Sequence, residues 1–492
     1  ETEGQYTLFP EKSIQPSGII IICLSQDTLL FKKFGRVIGM KQFSSLTDDG
    51  RIIYISDSTG TLMHGVEYSS EWYKDELKSK GGWSLEMIDT GFPFCYHDNW
   101  IASESKKGGT PGLINSVSGS NPDISFHGIQ NVFPVDSVTI RIRFSEPVFN
   151  LLGKTKSIKI GDKGIADVYP ADPLSREFLV KMESPLQRKE IYHFEVSEDM
   201  FDFAGNRMQK CDFTFGLSEP AEQGDILFNE LLFNPLPGDP DYLELYNCSE
   251  KTIDASRLQL VSVNDATGDK SETFPVSGDE RCILPGEYYA VTTDTKRVSE
   301  RYISTDPDHL FENGSLPSMS DDKGHLILYS RELERIDEVR YNEDMHFSLL
   351  STKEGVALEK NNPGNKSDEA ASWHSATESS GWGTPGAPNS VFVEMPVTSD
   401  RVVLSSSKIT PDNDGYEDFL TITMNLEGNG NVVSMMVFDE AGNYVRKIAT
   451  NLFAGAEASV IWDGTAEDGS PVNTGIYIIL ISLYDDTGKT AK

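Results

Sequence analysis

The chain has 492 residues and a formal net charge of −34, from 77 acidic against 43 basic side chains. A field of that sign repels phosphates, so nucleic acid is not an expected partner. No run of about 18 apolar residues occurs, so no transmembrane segment is expected. The length predicts several domains at roughly 100–200 residues each. The 41 glycines and 24 prolines punctuate β-branched and aromatic runs at short intervals, which predicts many short strands and an all-β chain of tandem sandwiches. The best helix candidate is SEWYKDELKSK at 70–80. Five cysteines without a CxxC give no support to zinc or thioredoxin-like chemistry, though Cys248 and Cys282 fall in one predicted domain and could pair.

The first segment, 1–117, opens on Phe9-Pro10 and the apolar run IIIICL at 19–24, a buried strand. Arg51-Ile52-Ile53-Tyr54-Ile55, Gly65-Val66-Glu67-Tyr68, Trp83-Ser84-Leu85-Glu86 and Asn99-Trp100-Ile101-Ala102 follow, and the segment exits on Gly109-Thr110-Pro111-Gly112. Each block has a counterpart, in the same order, between Phe274-Pro275 and Gly383-Thr384-Pro385-Gly386. A repeat of about 110 residues predicts tandem domains and not a solenoid. The first copy has nothing ahead of Phe9 to match the block at 225–247. A sandwich without those strands would expose open edges. The expectation is therefore an N-terminally incomplete domain: either the native polypeptide extends further upstream, or this copy has lost the strands and packs against a neighbour.

The second segment, 118–218, carries a period-two strand, Val138-Thr139-Ile140-Arg141-Ile142-Arg143-Phe144, then Ser145-Glu146-Pro147-Val148, a second strand at 191–196, and Phe203-Ala204-Gly205-Asn206 before Cys211-Asp212-Phe213-Thr214-Phe215. This order resembles the bacterial Ig-like domains of surface proteins. Gly205 and Asn206 suit left-handed turn positions; Asp202 and Asn206 are alternatively cation ligands.

The third segment, 219–392, contains DILFNELLFNPLPGDPDYLELYN at 225–247, a strand, a Pro/Gly turn and a second strand with Glu244 in its midst. A glutamate there either faces water from an edge strand or is buried with hydrogen-bond donors around it. The block continues with Thr252-Ile253-Asp254, Phe274-Pro275, Leu284-Pro285-Gly286-Glu287-Tyr288-Tyr289 and the exit Gly383-Thr384-Pro385-Gly386-Ala387-Pro388-Asn389. These blocks resemble a lamin tail domain, and the resemblance implies a compact immunoglobulin-like β-sandwich. Phe233, Tyr242, Tyr246, Tyr288 and Tyr289 are expected in the core and sandwich edge; a sugar-binding platform is the alternative.

A linker at 390–400 leads to the fourth segment, 393–492. Its Ile409-Thr410-Pro411-Asp412-Asn413-Asp414-Gly415, Val437-Phe438-Asp439-Glu440-Ala441-Gly442-Asn443, Trp462-Asp463-Gly464 and Gly469-Ser470-Pro471-Val472-Asn473-Thr474-Gly475-Ile476-Tyr477 resemble a flagellar-hook-cap-type (FlgD-like) Ig domain and the C-terminal modules of gliding and secreted proteins of Bacteroidetes-type bacteria. The resemblance implies that Trp462 packs the core and that Gly475 and Tyr477 open the last long strand.

For chemistry, Asp412, Asp414 and Asp418 alternate around Gly415, a pattern suited to a structural calcium ion or to a plain Asx turn; the position where an EF-hand needs glutamate is Thr423. No other cofactor is expected. The eight histidines are scattered, with no HExxH and no GxSxG, so no nucleophile-and-base constellation is legible, and Glu230 with Glu244 belongs to the lamin-tail framework motif. The sequence therefore predicts a non-enzymatic, exported, multi-domain scaffold or adhesin at the surface of a Gram-negative bacterium, binding a protein or glycan. The other reading is an accessory subunit of an outer-membrane protein complex, or the binding region of a larger secreted hydrolase.

Overall fold

The computed structural model describes residues 7–43, 45–94, 97–148, 151, 155–196, 200–302, 307–392, 401–426, 431–454, 457–484 and 490–491; most of the linker at 390–400 lies outside them. Among the described residues strand accounts for 41% and helix for 8%, against a usual helical third, so the chain is all-β and built of tandem sandwiches. It divides into two compact units, residues 1–187 with 191–215, and residues 188–190 with 216–492.

In the first unit, β1 (Ile21–Leu24), α1 (Thr28–Phe31), β2 (Val37–Met40), β3 (Gly50–Ser56), β4 (Leu62–Ser69), β5 (Leu85–Met87) and β6 (Trp100–Ala102) make three two-stranded sheets: parallel β1-β2, and antiparallel β3-β4 and β5-β6. The stretch 70–80 is no helix. Ser69 caps one 3-10 turn through Glu71 N, Lys74 turns left-handed at φ 51°, and Asp75 caps a second turn through Leu77 N and Lys78 N. Short polar side chains compete there with the helical ladder.

Next come β7 (Phe126–Asp136), β8 (Thr139–Phe144), β9 (Ile158–Ile160), β10 (Ile165–Pro170), β11 (Glu177–Met182), β12 (Ile191–Val196), β13 (Met208–Lys210) and β14 (Asp212–Gly216), in sheets ordered β10-β11-β8-β7-β13 and β14-β12-β9. Their inner faces bury Phe144, Phe178, Phe194 and Phe215, as period-two patterning requires.

The second unit holds β15 (Ile226–Leu232), β16 (Tyr242–Asn247), β17 (Ile253–Asp254), β18 (Leu258–Ser262), β19 (Phe274–Pro275), β20 (Cys282–Ile283), β21 (Tyr288–Thr292), α2 (Thr295–Arg301), β22 (Leu310–Glu312), β23 (Lys323–Ser330), β24 (Arg335–Asn342), β25 (Leu358–Lys360) and β26 (Trp373–Ser375). A six-stranded sheet, β22-β21-β16-β15-β25-β26, packs on a four-stranded one, β19-β18-β23-β24, over a core that includes Phe228, Leu231, Leu245, Leu260, Leu328, Val339 and Trp373. The remaining strands, β27 (Val402–Leu404), β28 (Leu420–Asn425), β29 (Asn431–Asp439), β30 (Tyr444–Ala454), β31 (Glu457–Trp462), β32 (Tyr477–Tyr484) and β33 (Thr490–Ala491), form sheets β27-β28-β31 and β30-β29-β32-β33. Trp462 is buried and packs edge-on against Tyr477 at 5.2 Å, and Tyr477 opens the long β32, as expected. Phe233, Tyr242 and Tyr289 are buried, with Tyr246 and Tyr288 half-buried beside them.

Cys248 and Cys282 are both free thiols. Cys248 follows the end of β16 and donates to Gly224 O (2.8 Å), whereas Cys282 lies in the separate β17-β20 pair and contacts Gly216 O. Each thiol is engaged by a backbone carbonyl and not by the other.

Candidate functional site: a buried carboxylate row under the exit loop

Strand pairing brings three glutamates side by side. Glu230 of β15 lies opposite Glu244 of β16 on one flank and opposite Glu359 of β25 on the other. Directly opposed residues share a face, and like charges there repel. All three side chains are fully buried, so Glu244 sits in the sheet interior and not on a wet edge.

The donors that make this burial tolerable come from the exit loop after β26. Thr384 N donates to Glu230 Oε1 (2.9 Å) and Gly386 N to Glu244 Oε2 (2.6 Å). Glu359 accepts from Thr384 Oγ1 (2.8 Å), Ser390 Oγ (2.8 Å) and Val391 N (3.1 Å). Within the sheet, Tyr242 Oη donates to Glu230 (2.5 Å) and Asn229 Nδ2 to Glu244 (2.6 Å). Asn389 ties the loop down again, donating to Lys360 O (2.7 Å). At Gly383 a Cβ would stand 2.5 Å from the Tyr242 hydroxyl oxygen and 2.8 Å from the Tyr302 ring, so only glycine passes.

Burial pushes all three carboxyls up. Glu244 rises to about 8 and Glu230 well above the usual carboxylate range, with the Glu359 and Glu244 charges adding to the effect at Glu230. Glu359 is also raised by burial, against the pull of Ser390 and Thr384. Repulsion and desolvation together favour protons on the row. Its work in this fold is to staple the loop across three central strands. Beside it, burial lowers Lys360 to about 8; its Nζ lies 3.4 Å from Ser367 Oγ, with Asp337 supplying the nearby negative charge.

Asp412, Asp414 and Asp418 do converge, with carboxylate oxygens within 4.8 Å of one another. Asp418 is already engaged as the clamp of the turn, accepting from Asn413 N (2.5 Å), Asp414 N (3.2 Å) and Gly415 N (2.8 Å). The turn also docks onto the preceding sandwich: Asn413 Nδ2 donates to Ala376 O (3.1 Å) and Ser379 Oγ to Asp414 O (3.1 Å). Asn413 is buried with φ 61°. Asn413→Gly keeps that backbone and loses the docking bond, and is expected to cost about 1 kcal/mol; Asn413→Ala adds left-handed strain and is expected to cost about 2 kcal/mol. Thermal unfolding of the two variants measures both.

In the first unit Asp202 caps the Gly205-Asn206 turn, accepting from Asn206 N and Nδ2 (both 2.8 Å). Sequence reading missed that Asp123 and Glu146 join it, with oxygens within 4.8 Å. Burial, then the charges of Asp123 and Asp202, raises Glu146 to about 8. Sequence reading also missed Glu359. The available signal was a glutamate inside an apolar run occurring twice, in Trp83-Ser84-Leu85-Glu86 and in Val356-Ala357-Leu358-Glu359.

Fold and sites together define a multi-domain β-sandwich protein whose buried acids fasten loops. Residues 403–492 match the CHU_C Type IX secretion signal domain. The chain thus carries a Bacteroidetes-type export signal and is a secreted, cell-surface or extracellular protein. No curated protein matches it. Among solved structures it is similar to the N-terminal part of the bacterial S-layer protein SbsC (20% identity over 33% of this chain and 40% of that one, TM-score 0.17). It is also similar to a DUF4876 family protein from Bacteroides thetaiotaomicron (13%, 42% and 83%, TM-score 0.19) and to the BSP domain of a biofilm associated protein (8%, 80% and 72%, TM-score 0.14). The chain spans about half or less of the S-layer structures it matches. Among the described residues no helix is long and apolar enough to cross a membrane.

Proposed function

We propose that this chain is a non-catalytic surface protein whose tandem β-sandwiches act as scaffold or adhesive modules, delivered outside the cell by the module at 401–492. The observation that carries the reading is the secretion-signal match over residues 403–492. It is supported by the use of the third sandwich's buried acids as loop fasteners, which leaves them without a substrate-facing side. The first and third sandwiches are read as lamin-tail-type modules and the second as a bacterial Ig-like spacer. Their partner is a protein or glycan at the cell surface, with outer-membrane proteins as the anchoring class.

Deleting residues 401–492 is expected to abolish appearance of the protein outside the cell and to trap it within the envelope, as read by protease accessibility on whole cells. Undiminished surface exposure of the deleted form would sink the export part of the reading. Hydrolase activity in the purified chain that a single substitution removes would sink the non-catalytic part.

A further inference from the structure

The two copies of the repeat share a hydrogen-bond pattern at the exit loop. Glu86 accepts from Thr110 Oγ1 (2.7 Å), Ser116 Oγ (2.6 Å) and Ser116 N (2.7 Å), as Glu359 does from Thr384, Ser390 and Val391. Asn115 Nδ2 donates to Met87 O (2.8 Å), as Asn389 does to Lys360 O (2.7 Å). β5 and β6 pair Leu85 with Ala102, as β25 and β26 pair Leu358 with Ser375. β1 pairs in parallel with β2 as β21 does with β22, and the left-handed turn ahead of each strand falls on Ser17 (φ 57°) and Gly286 (φ 77°).

Against that match, three strand edges differ among the described residues. β21 is flanked by β22 and β16, while β1 has only β2. β25 is flanked by β15 and β26, while β5 has only β6. β23 is flanked by β18 and β24, while β3 has only β4. Where β23 buries Leu326, Ile327 and Leu328, β3 leaves Ile53 39% and Ile55 37% exposed. Two donors are left over as well. The Thr384 and Gly386 amides hold Glu230 and Glu244; the corresponding amides of Thr110 and Gly112 donate to no described residue.

We propose that the first sandwich is a receptor for a β-hairpin and following strand with the residue pattern of 226–262, placed between β1 and β5 and along β3. Each hairpin strand presents one inward glutamate, and these two carboxylates take the Thr110 and Gly112 amides. The occupant is specified by those amides and by the three unpaired edges, since an added strand supplies ladder bonds and the alternate side chains supply selectivity. An apolar peptide without the acids would leave both amides unfilled. The inference stands on the repeat and not on the export reading.

The test adds a peptide of residues 225–262 to the full chain, with a control peptide carrying Glu230→Lys and Glu244→Lys. Saturable one-to-one binding is expected, with slowed hydrogen exchange at the Thr110 and Gly112 amides. The control should bind about tenfold or more weakly, the worth of one charge-assisted hydrogen bond. A second format guards against an aggregating peptide: the same residues joined by a Gly/Ser linker ahead of Leu8 of the full chain, read by the same two amides. Equal binding of both peptides, self-association of the chain that protects these amides without peptide, or no protection in either format would overturn the proposal.

Discussion

Raising the pH from 6.5 to 8 is expected to destabilise the third sandwich by on the order of 2 kcal/mol through Glu244 alone, with Glu230 and Glu359 adding to the loss. Burial lifts the Glu244 carboxyl from an ordinary 4.5 to about 8. The folded state therefore holds a proton that the unfolded chain has already released. That contribution is present in full below 4.5 and is lost as pH rises through the folded value. Between 4.5 and 6.5 buried histidines in the same unit impose an opposite slope, so the net fall emerges above 6.5. Glu244→Gln should make it shallower by the share Glu244 contributes, because the amide keeps the shape and one acceptor for Gly386 N or Asn229 Nδ2 while removing that titration. Glu244→Ala should cost about 3 kcal/mol at pH 5, since it strands both donors in a sealed site. Chemical denaturation of wild type and both variants at pH 5, 6.5 and 8 measures these terms. Parallel losses in wild type and Glu244→Gln would show that Glu244 does not hold the proton.

The row also shows where sequence reading reaches and where it stops. Period-two strands, Pro/Gly turns and the repeated blocks announced the sandwiches, because these signals are local. Glu244 was legible as a site of conflict, a charge inside an apolar strand. Its resolution was not legible. The Gly386 amide that satisfies it is 142 residues away, and the pairing of Glu230 with Glu359 depends on β15 choosing β25 as its second neighbour. The same limit applies at 70–80, where helical composition lost to caps by Ser69 and Asp75. At 412–418 the turn is legible in the sequence, yet the docking of Asn413 on Ala376 needed the tertiary fold.

Acid should loosen the same unit from its other end. The His374 ring is buried, stacks on Phe419 at 4.5 Å and lies 5.7 Å from Phe347, and its Nε2 has no partner. Burial pushes it down to about 4, against the Ser375 carbonyl and Asp463, which favour its protonated form. His346, bonded through Nδ1 to Ser375 Oγ (2.9 Å), is pushed down to about 3 by burial, with Lys353 and His374 adding to the fall. Both rings are neutral when folded and ordinary, near 6.5, when unfolded. Their contribution is present in full above 6.5 and is lost as pH falls towards the folded values, because the unfolded chain then binds the extra protons. At pH 4 each ring withdraws on the order of 3 kcal/mol. Because Phe419 precedes β28, the stack joins the sandwich at 219–392 to the module at 401–492, and protonating His374 weakens that joint. His374→Phe retains the ring contacts with Phe419 and Phe347 without the titration. Its stability should exceed that of wild type by about 3 kcal/mol at pH 4 relative to the difference between the two at pH 7. Equal acid losses in the two proteins, measured by denaturant unfolding at both pH values, would remove His374 from the account and leave His346 to carry it.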